Sequence, residues 1–257
     1  MKGMDENAIV LRAFDLDLER AFELDVEAAG TIAGVTGLVA LAVVVVGRPW
    51  RLARNVVTIV HEAGHALVAL LAGRRLQGIT LHSDTSGVTV SKGKPTGPGM
   101  VLTALAGYPA PAVLGLVFAG LVSAERLSAV LGIAAVLLLG VLVMVRNAYG
   151  VFSVLLSASV LGAVALFAGP GVQAAFVYLM TWFLLFGAVR PLFELQAKRR
   201  RGAARDSDID QLARLTGLPA LLWLLVLGAL AATCVVVGGM LLTEPVVVPS
   251  GFTAATG

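Results

Sequence analysis

The sequence predicts an all-α polytopic membrane protein with about seven transmembrane helices and a small β-hairpin after the second. Three observations support this fold class. Of the 257 residues, 58% are hydrophobic and only 14% are charged, whereas soluble domains carry about 25% charged residues. The mean hydropathy is +0.91. Apolar runs long enough to cross a bilayer recur along the chain, and one short stretch between them alternates like a β-strand.

We expect three parts: a cytosolic segment over 1–29, an integral membrane domain over 30–242 and a C-terminal tail over 243–257. The first segment is acidic and polar, with apolar residues at amphipathic spacing. It does not open with a basic region followed by an apolar one, so it is not a cleaved signal peptide. The first apolar run then serves as an uncleaved anchor.

Windows of about 20 residues delimit the membrane helices. They give seven candidate spans, at 30–47, 55–73, 99–123, 127–145, 148–168, 171–190 and 217–242.

The distribution of Lys and Arg between alternate loops predicts the orientation. One side collects the N-terminal tail, the 74–98 loop, Arg146 and the 190–205 stretch, whereas the other has only Arg48, Arg51, Arg54 and Arg126. A multi-pass protein of the cell membrane with a cytoplasmic N-terminus is therefore expected.

A metal-site pattern lies in the second span, where His61, Glu62 and His65 form a His-Glu-x-x-His motif. On a helix the two histidines share one face, so two imidazole nitrogens can bind one Zn²⁺ while Glu62 acts as general base. Such a short match also arises by chance. Two of the three histidines of the chain fall within it, however, and ionisable residues inside a membrane span are functional by default.

The loop over 76–90 alternates around an Asp/Ser/Gly turn, which predicts a β-hairpin. Its open edge could accept a substrate segment by strand addition, although a simple connector fits the pattern equally well. His82 in this loop could be a third metal ligand, but a histidine at such a position more often faces solvent.

A catalytic zinc needs a third protein ligand and one open position. The single cysteine, Cys234, lies in the last apolar run, so neither a disulfide nor a cysteine zinc site is available. Among the remaining carboxylates, those of the 206–210 stretch are the best placed. Ser207 is a plausible N-cap for a helix that follows, and these aspartates could equally serve only that helix end.

The third span is broken by Pro109 and Pro111, which remove backbone donors, and Gly107 permits close helix approach. A kink there would leave space for a water-filled pocket beside the metal. A purely structural kink is the alternative.

Together these features resemble the site-2-protease-type intramembrane zinc metalloproteases, in a compact branch without a PDZ domain. The resemblance covers roughly residues 30 to 242. It implies that His61 and His65 are ligands, that Glu62 is the base and that an aspartate from a later helix completes the site. The family usually supplies this aspartate from an Asn-Pro-Asp-Gly-like or Leu-Asp-Gly segment. Because this sequence contains no Asp-Gly pair, Asp208 is the first choice and Asp210 the second.

The implied activity is zinc-dependent hydrolysis of peptide bonds in membrane-embedded or juxtamembrane segments, with a transmembrane protein or peptide as substrate and the lipid bilayer as surroundings. The basic clusters lack accompanying aromatic residues, so no nucleic-acid partner is expected. The alternatives are an inactive family member and a non-proteolytic metal-binding scaffold or transporter. The spans consist mostly of Leu, Val, Ala and Gly, which argues against an ion pathway. The sequence leaves the substrate and the oligomeric state open.

Overall fold

A computed structural model describes residues 26–202 and 207–243. The predicted segments at 1–29 and 243–257 lie almost entirely outside this range. The described chain forms helices and one hairpin, in the order α1 (Val26–Val45), α2 (Gly47–Leu71), β1 (Arg75–Leu81), β2 (Gly87–Lys92), α3 (Pro98–Leu105), α4 (Pro109–Ser123), α5 (Leu127–Met144), α6 (Ala148–Phe167), α7 (Pro170–Arg200), α8 (Asp208–Thr216) and α9 (Ala220–Thr243).

Four of these helices are long and apolar enough to cross a membrane: α5, α6, α7 and α9. Two further pairs are long and apolar enough only when the two helices of each pair are taken together: α1 with α2, bent by 100°, and α3 with α4, bent by 66°. Counting each pair as one span gives up to six. Six of the seven predicted spans each correspond to one helix, and the third corresponds to α3 and α4 together. The count of seven spans is not confirmed, because α1 and α2 form a bent pair that counts as at most one span.

The core lies around α7, which is the most enclosed of the four long apolar helices. Of its apolar stretch 56% is buried, against 28% at most for α5, α6 and α9. Small residues allow this close packing. A Cβ on Gly187 would lie 2.8 Å from Val57 of α2, and one on Gly115 would lie 3.0 Å from Leu185. The outer faces of α5, α6 and α9 expose Leu and Val side chains, as expected of helices that face lipid.

The predicted β-hairpin is present, with β1 and β2 antiparallel and one irregularity between Leu76 and Gly78. The far edge of β1 is covered by the α5–α6 junction. Arg146 N donates to Ile79 O at 2.9 Å, and the Asn147 amide exchanges two hydrogen bonds with the Leu81 backbone. The other edge of the sheet, formed by β2, has no strand beside it in the described part of the chain.

One premise of the predicted orientation is wrong. Sequence counting placed Arg54 on the opposite side from the 190–205 stretch, but Arg54 pairs with Glu194 of α7 at 3.3 Å. The reason is that α1 ends beside the C-terminal part of α7, where Arg190 donates to Val44 O, and the chain turns there into α2. The basic residues of the α1–α2 bend therefore share one end of the molecule with those of α7. A cytoplasmic N-terminus is not supported.

Candidate metal centre

Three side chains from two distant parts of the chain converge at one point. His61 Nε2 lies 3.0 Å and His65 Nε2 lies 3.2 Å from Asp208 Oδ2. The two imidazole nitrogens are 3.1 Å apart. Among the described residues, these three form the group of His, Cys, Asp or Glu side chains whose ligand atoms are close enough to hold one metal ion.

Local structure explains why these atoms meet. His61 and His65 occupy one face of α2, a turn apart, and their rings stand at 80° to each other. Asp208 is the first residue of α8, which packs against α3 and α9. The Ser207 side chain caps this helix by accepting from Asp210 N at 3.3 Å, as the sequence predicts. The first turn of α8 thereby directs one carboxylate at the two imidazoles.

The orientation of His65 is set by the broken span. Its Nδ1 donates to the backbone carbonyl of Thr103 at 2.7 Å. Metal-binding histidines usually donate their second ring nitrogen in this way, which fixes the tautomer and leaves the Nε2 lone pair for the metal. His65 is buried, with 7% of its surface exposed, so an unshared Nε2 lone pair there would be costly.

The space between the ligand atoms fits a zinc ion. Bonds of about 2.0–2.2 Å in a tetrahedral site separate ligand atoms by roughly 3.3 Å, close to the distances found here. Gly107, in the break between α3 and α4, borders this space. A Cβ on Gly107 would lie 2.5 Å from His61 Nε2 and closer still to His65 Nε2. Glycine at this position therefore leaves room that any other residue would fill.

Glu62 lies under the hairpin and is 3% exposed. The Thr89 hydroxyl is 2.6 Å from Glu62 Oε2 and 3.1 Å from the Glu62 carbonyl oxygen. Gly87 also faces this carboxylate, since a Cβ there would meet Oε1 at 2.6 Å. Strand β2 thus holds the carboxylate in place one residue from His61.

Asp208 and Asp210 differ in their surroundings. Burial acts to raise the pKa of the Asp208 carboxyl, but hydrogen bonds with His61 and His65 outweigh it and keep the pKa below its ordinary value. Asp210 lies elsewhere: its carboxylate accepts from Ser207 Oγ at 2.6 Å and pairs with Arg199. Burial again acts to raise the pKa of this carboxyl, and these contacts lower it.

The structure does not bring the other considered ligand, His82, to the site. His82 is exposed in the hairpin turn, and its Nδ1 lies 3.4 Å from Ser86 Oγ.

Sequence reasoning missed several residues that shape the centre. Thr103 acts through its backbone carbonyl, which leaves no signal in the residue type. Thr89 and Gly87 are i and i+2 on a strand and so share one face, which could have indicated a joint role. Tyr108 also packs edge-on against His61, with ring centroids 4.9 Å apart.

A family model described as Peptidase M50B-like matches residues 34–238. No curated protein and no solved structure matches the chain.

Proposed function

The chain belongs to the Peptidase M50B-like family, and we propose that it is an intramembrane zinc metalloprotease. Membership in this site-2-protease family, together with several apolar helices, makes it a multi-pass membrane protein. The proposed reaction is hydrolysis of a peptide bond in a membrane-embedded or juxtamembrane segment of a transmembrane substrate.

The observation that carries the proposal is the convergence of His61, His65 and Asp208 around a space that Gly107 leaves free. Two neutral imidazoles and one carboxylate offer three lone pairs and one negative charge. Such a donor set matches catalytic zinc sites, in which three protein ligands leave one position open. His61, His65 and Asp208 are the proposed ligands.

When bound, zinc supplies Lewis-acid chemistry, because it polarises a carbonyl oxygen and makes a neighbouring water more acidic. Glu62 is the proposed general base: its carboxylate takes the proton of the attacking water and passes it to the leaving amine. The Thr89 hydroxyl holds one carboxylate oxygen by a hydrogen bond of 2.6 Å, which restricts the other oxygen to a narrow range of positions. Asp208, which contacts both His61 and His65, keeps the two imidazoles in a fixed position relative to Glu62.

The free edge of β2 suggests how a substrate enters. A helical segment hides its carbonyls in internal hydrogen bonds, so it must become extended before cleavage. Strand addition to β2 would supply replacement hydrogen bonds. Because Gly87 and Thr89 of this strand contact Glu62, a segment paired there would pass beside the proposed base.

The test is a cleavage assay on a model transmembrane peptide, with zinc measured on the same preparations. Replacing Glu62 by Gln should retain zinc and lower the cleavage rate by a factor on the order of 10²–10⁴, the usual contribution of general acid–base catalysis. A Glu62→Gln variant with wild-type activity would remove Glu62 as the base.

The same assay separates the protease from an inactive, metal-binding family member, which would bind zinc without cutting. The transporter alternative gains no support from the described spans. The buried hydroxyls of Thr36 and Thr181 donate to carbonyls within their own helices, so they do not form a polar path across the bundle.

A further inference from the structure

A polar cavity lies away from the proposed zinc site, at the bend where α1 ends, α2 begins and α7 ends. Its volume is about 670 Å³, and we name it the basic pocket. Six cationic side chains line it, against one carboxylate, that of Glu194. They are Arg48, Arg51, Arg54, Arg190, Lys198 and Arg201.

Only part of this positive charge is neutralised by residues that the structure describes. Glu194 pairs with Arg54 at 3.3 Å and with Arg190 at 3.0 Å. The other four side chains are exposed and form no ion pair with any residue at 26–202 or 207–243: Arg48, Arg51, Lys198 and Arg201. Within the described part of the chain the pocket thus keeps a positive potential, and the N-terminal end of α2 adds to it.

An apolar groove of about 500 Å³ adjoins the basic pocket. Arg190 lines both, and the chain passes from Val44 and Val45 in the groove to Val46 in the pocket. The groove runs between α1, α7 and α9, and its side chains include Leu41, Val45, Phe186, Val189, Phe193 and Val236. Phe193 and Val236 are 72% and 56% exposed, so this surface faces the surroundings of the bundle.

We propose that the basic pocket and the groove together bind one anionic phospholipid. The phosphate and headgroup occupy the basic pocket, and an acyl chain lies in the groove. Basic pockets between transmembrane helices suit anionic headgroups, and the uncompensated cations favour a charged headgroup over a zwitterionic one. The adjoining groove favours a lipid over a free phosphate ion, because a phosphate ion has no acyl chain to fill the groove.

The headgroup contact can be tested on the full-length protein in mild detergent, by native mass spectrometry with phosphatidylglycerol and with phosphatidylcholine of the same acyl chains. Each basic residue near a membrane surface contributes about fivefold to anionic lipid binding. The double variant R48Q/R51Q should therefore bind phosphatidylglycerol about 30-fold more weakly, with little change for phosphatidylcholine. Both residues are exposed, so folding should be preserved.

The matched control is R75Q/K92Q, which removes two exposed cations from the hairpin and should leave binding within about twofold of wild type. Unchanged binding in R48Q/R51Q, an equal loss in the control, or equal binding of both lipids by the wild type would each overturn the proposal.

The acyl contact distinguishes a lipid from a free anion. Val236→Trp fills the groove, whereas Val237→Trp places the same bulk on a neighbouring residue that does not line it. We expect weaker phosphatidylglycerol binding in the first variant only, and little competition from millimolar inorganic phosphate. If phosphate displaced the lipid fully while Val236→Trp had no effect, the pocket would be an anion site and not a lipid site. Neither arm involves a proposed zinc ligand, so failure here leaves the protease proposal intact.

Discussion

Two polar clusters lie on the same face of α2, and they are neutralised in different ways. The first, which we call the arginine–glutamate cluster, consists of Trp50, Arg54, Arg190 and Glu194. The second, the histidine–aspartate cluster, consists of His61, His65 and Asp208.

The arginine–glutamate cluster contains its own cations. Glu194 accepts from Trp50 Nε1 at 2.8 Å and pairs with both arginines, and the Arg190 guanidinium lies 5.0 Å from the centre of the Trp50 ring. The histidine–aspartate cluster instead brings two imidazole nitrogens and one carboxylate oxygen, each able to bind a metal ion, within 3.2 Å of one another. Burying a polar or charged group is costly unless a hydrogen bond, an opposite charge or a metal ion compensates it. The comparison therefore separates a cluster that fastens α2 to α7 from one whose three atoms have the arrangement that the proposed zinc centre requires.

The largest difference between the two clusters is expected when the Asp208 carboxylate, which α8 supplies, is removed. Asp208→Asn should lose zinc and lower the cleavage rate by a factor on the order of 100 or more, because the neutral amide is a poor ligand and no longer balances the metal charge. Zinc content and peptide cleavage measure both effects.

Asp210→Asn is the matched control, since it changes a carboxylate of the same helix that pairs with Arg199 instead of the imidazoles. If the two variants lost zinc equally, the assignment of Asp208 would be wrong.

A second test fills the space and leaves every ligand in place. Gly107→Ala puts a methyl group against both Nε2 atoms, so zinc affinity should fall by roughly 10- to 100-fold, as it does when groups around a metal site are disturbed. Gly120→Ala in α4, where a Cβ meets nothing within 4 Å, should bind zinc normally. Wild-type zinc affinity in Gly107→Ala would show that the metal does not lie beside this glycine.

The smallest effect is expected from a change in the arginine–glutamate cluster. Glu194→Gln leaves Arg54 and Arg190 without their partner, so the free energy of unfolding should fall by roughly 1–2 kcal/mol, between the values for exposed and buried pairs. The thermal unfolding midpoint in detergent measures this loss, with the exposed Glu125→Gln as control. Zinc stoichiometry should not change. Loss of zinc in Glu194→Gln alone would mean that the two clusters act as one.

The sequence predicted the parts of the centre that depend on local spacing. His61 and His65 had to share a helix face because they are four residues apart, and the alternation after them predicted the hairpin. Ser207 as an N-cap could be recognised from its residue type and from the aspartates that follow.

The sequence could not predict what depends on how helices bend and pack. The side of Arg54 was wrong because counting took 30–47 and 55–73 as two separate spans, whereas α1 and α2 form one pair bent by 100° between Val45 and Gly47. Gly107 was interpreted as a site of close helix approach, but it faces the imidazole nitrogens. The choice between Asp208 and Asp210 depends partly on local structure. The Asp210 carboxylate accepts a hydrogen bond from the capping Ser207, whereas the Asp208 carboxylate points to the imidazoles.

X-ray absorption at the zinc edge, on purified wild-type protein and on His65→Ala, tests most directly whether the histidine–aspartate cluster binds a metal. We expect about one zinc per wild-type chain, surrounded by nitrogen and oxygen atoms at about 2.0–2.2 Å without sulfur, and little zinc in the variant. A wild-type protein without metal, or zinc that His65→Ala retains unchanged, would contradict the proposed centre.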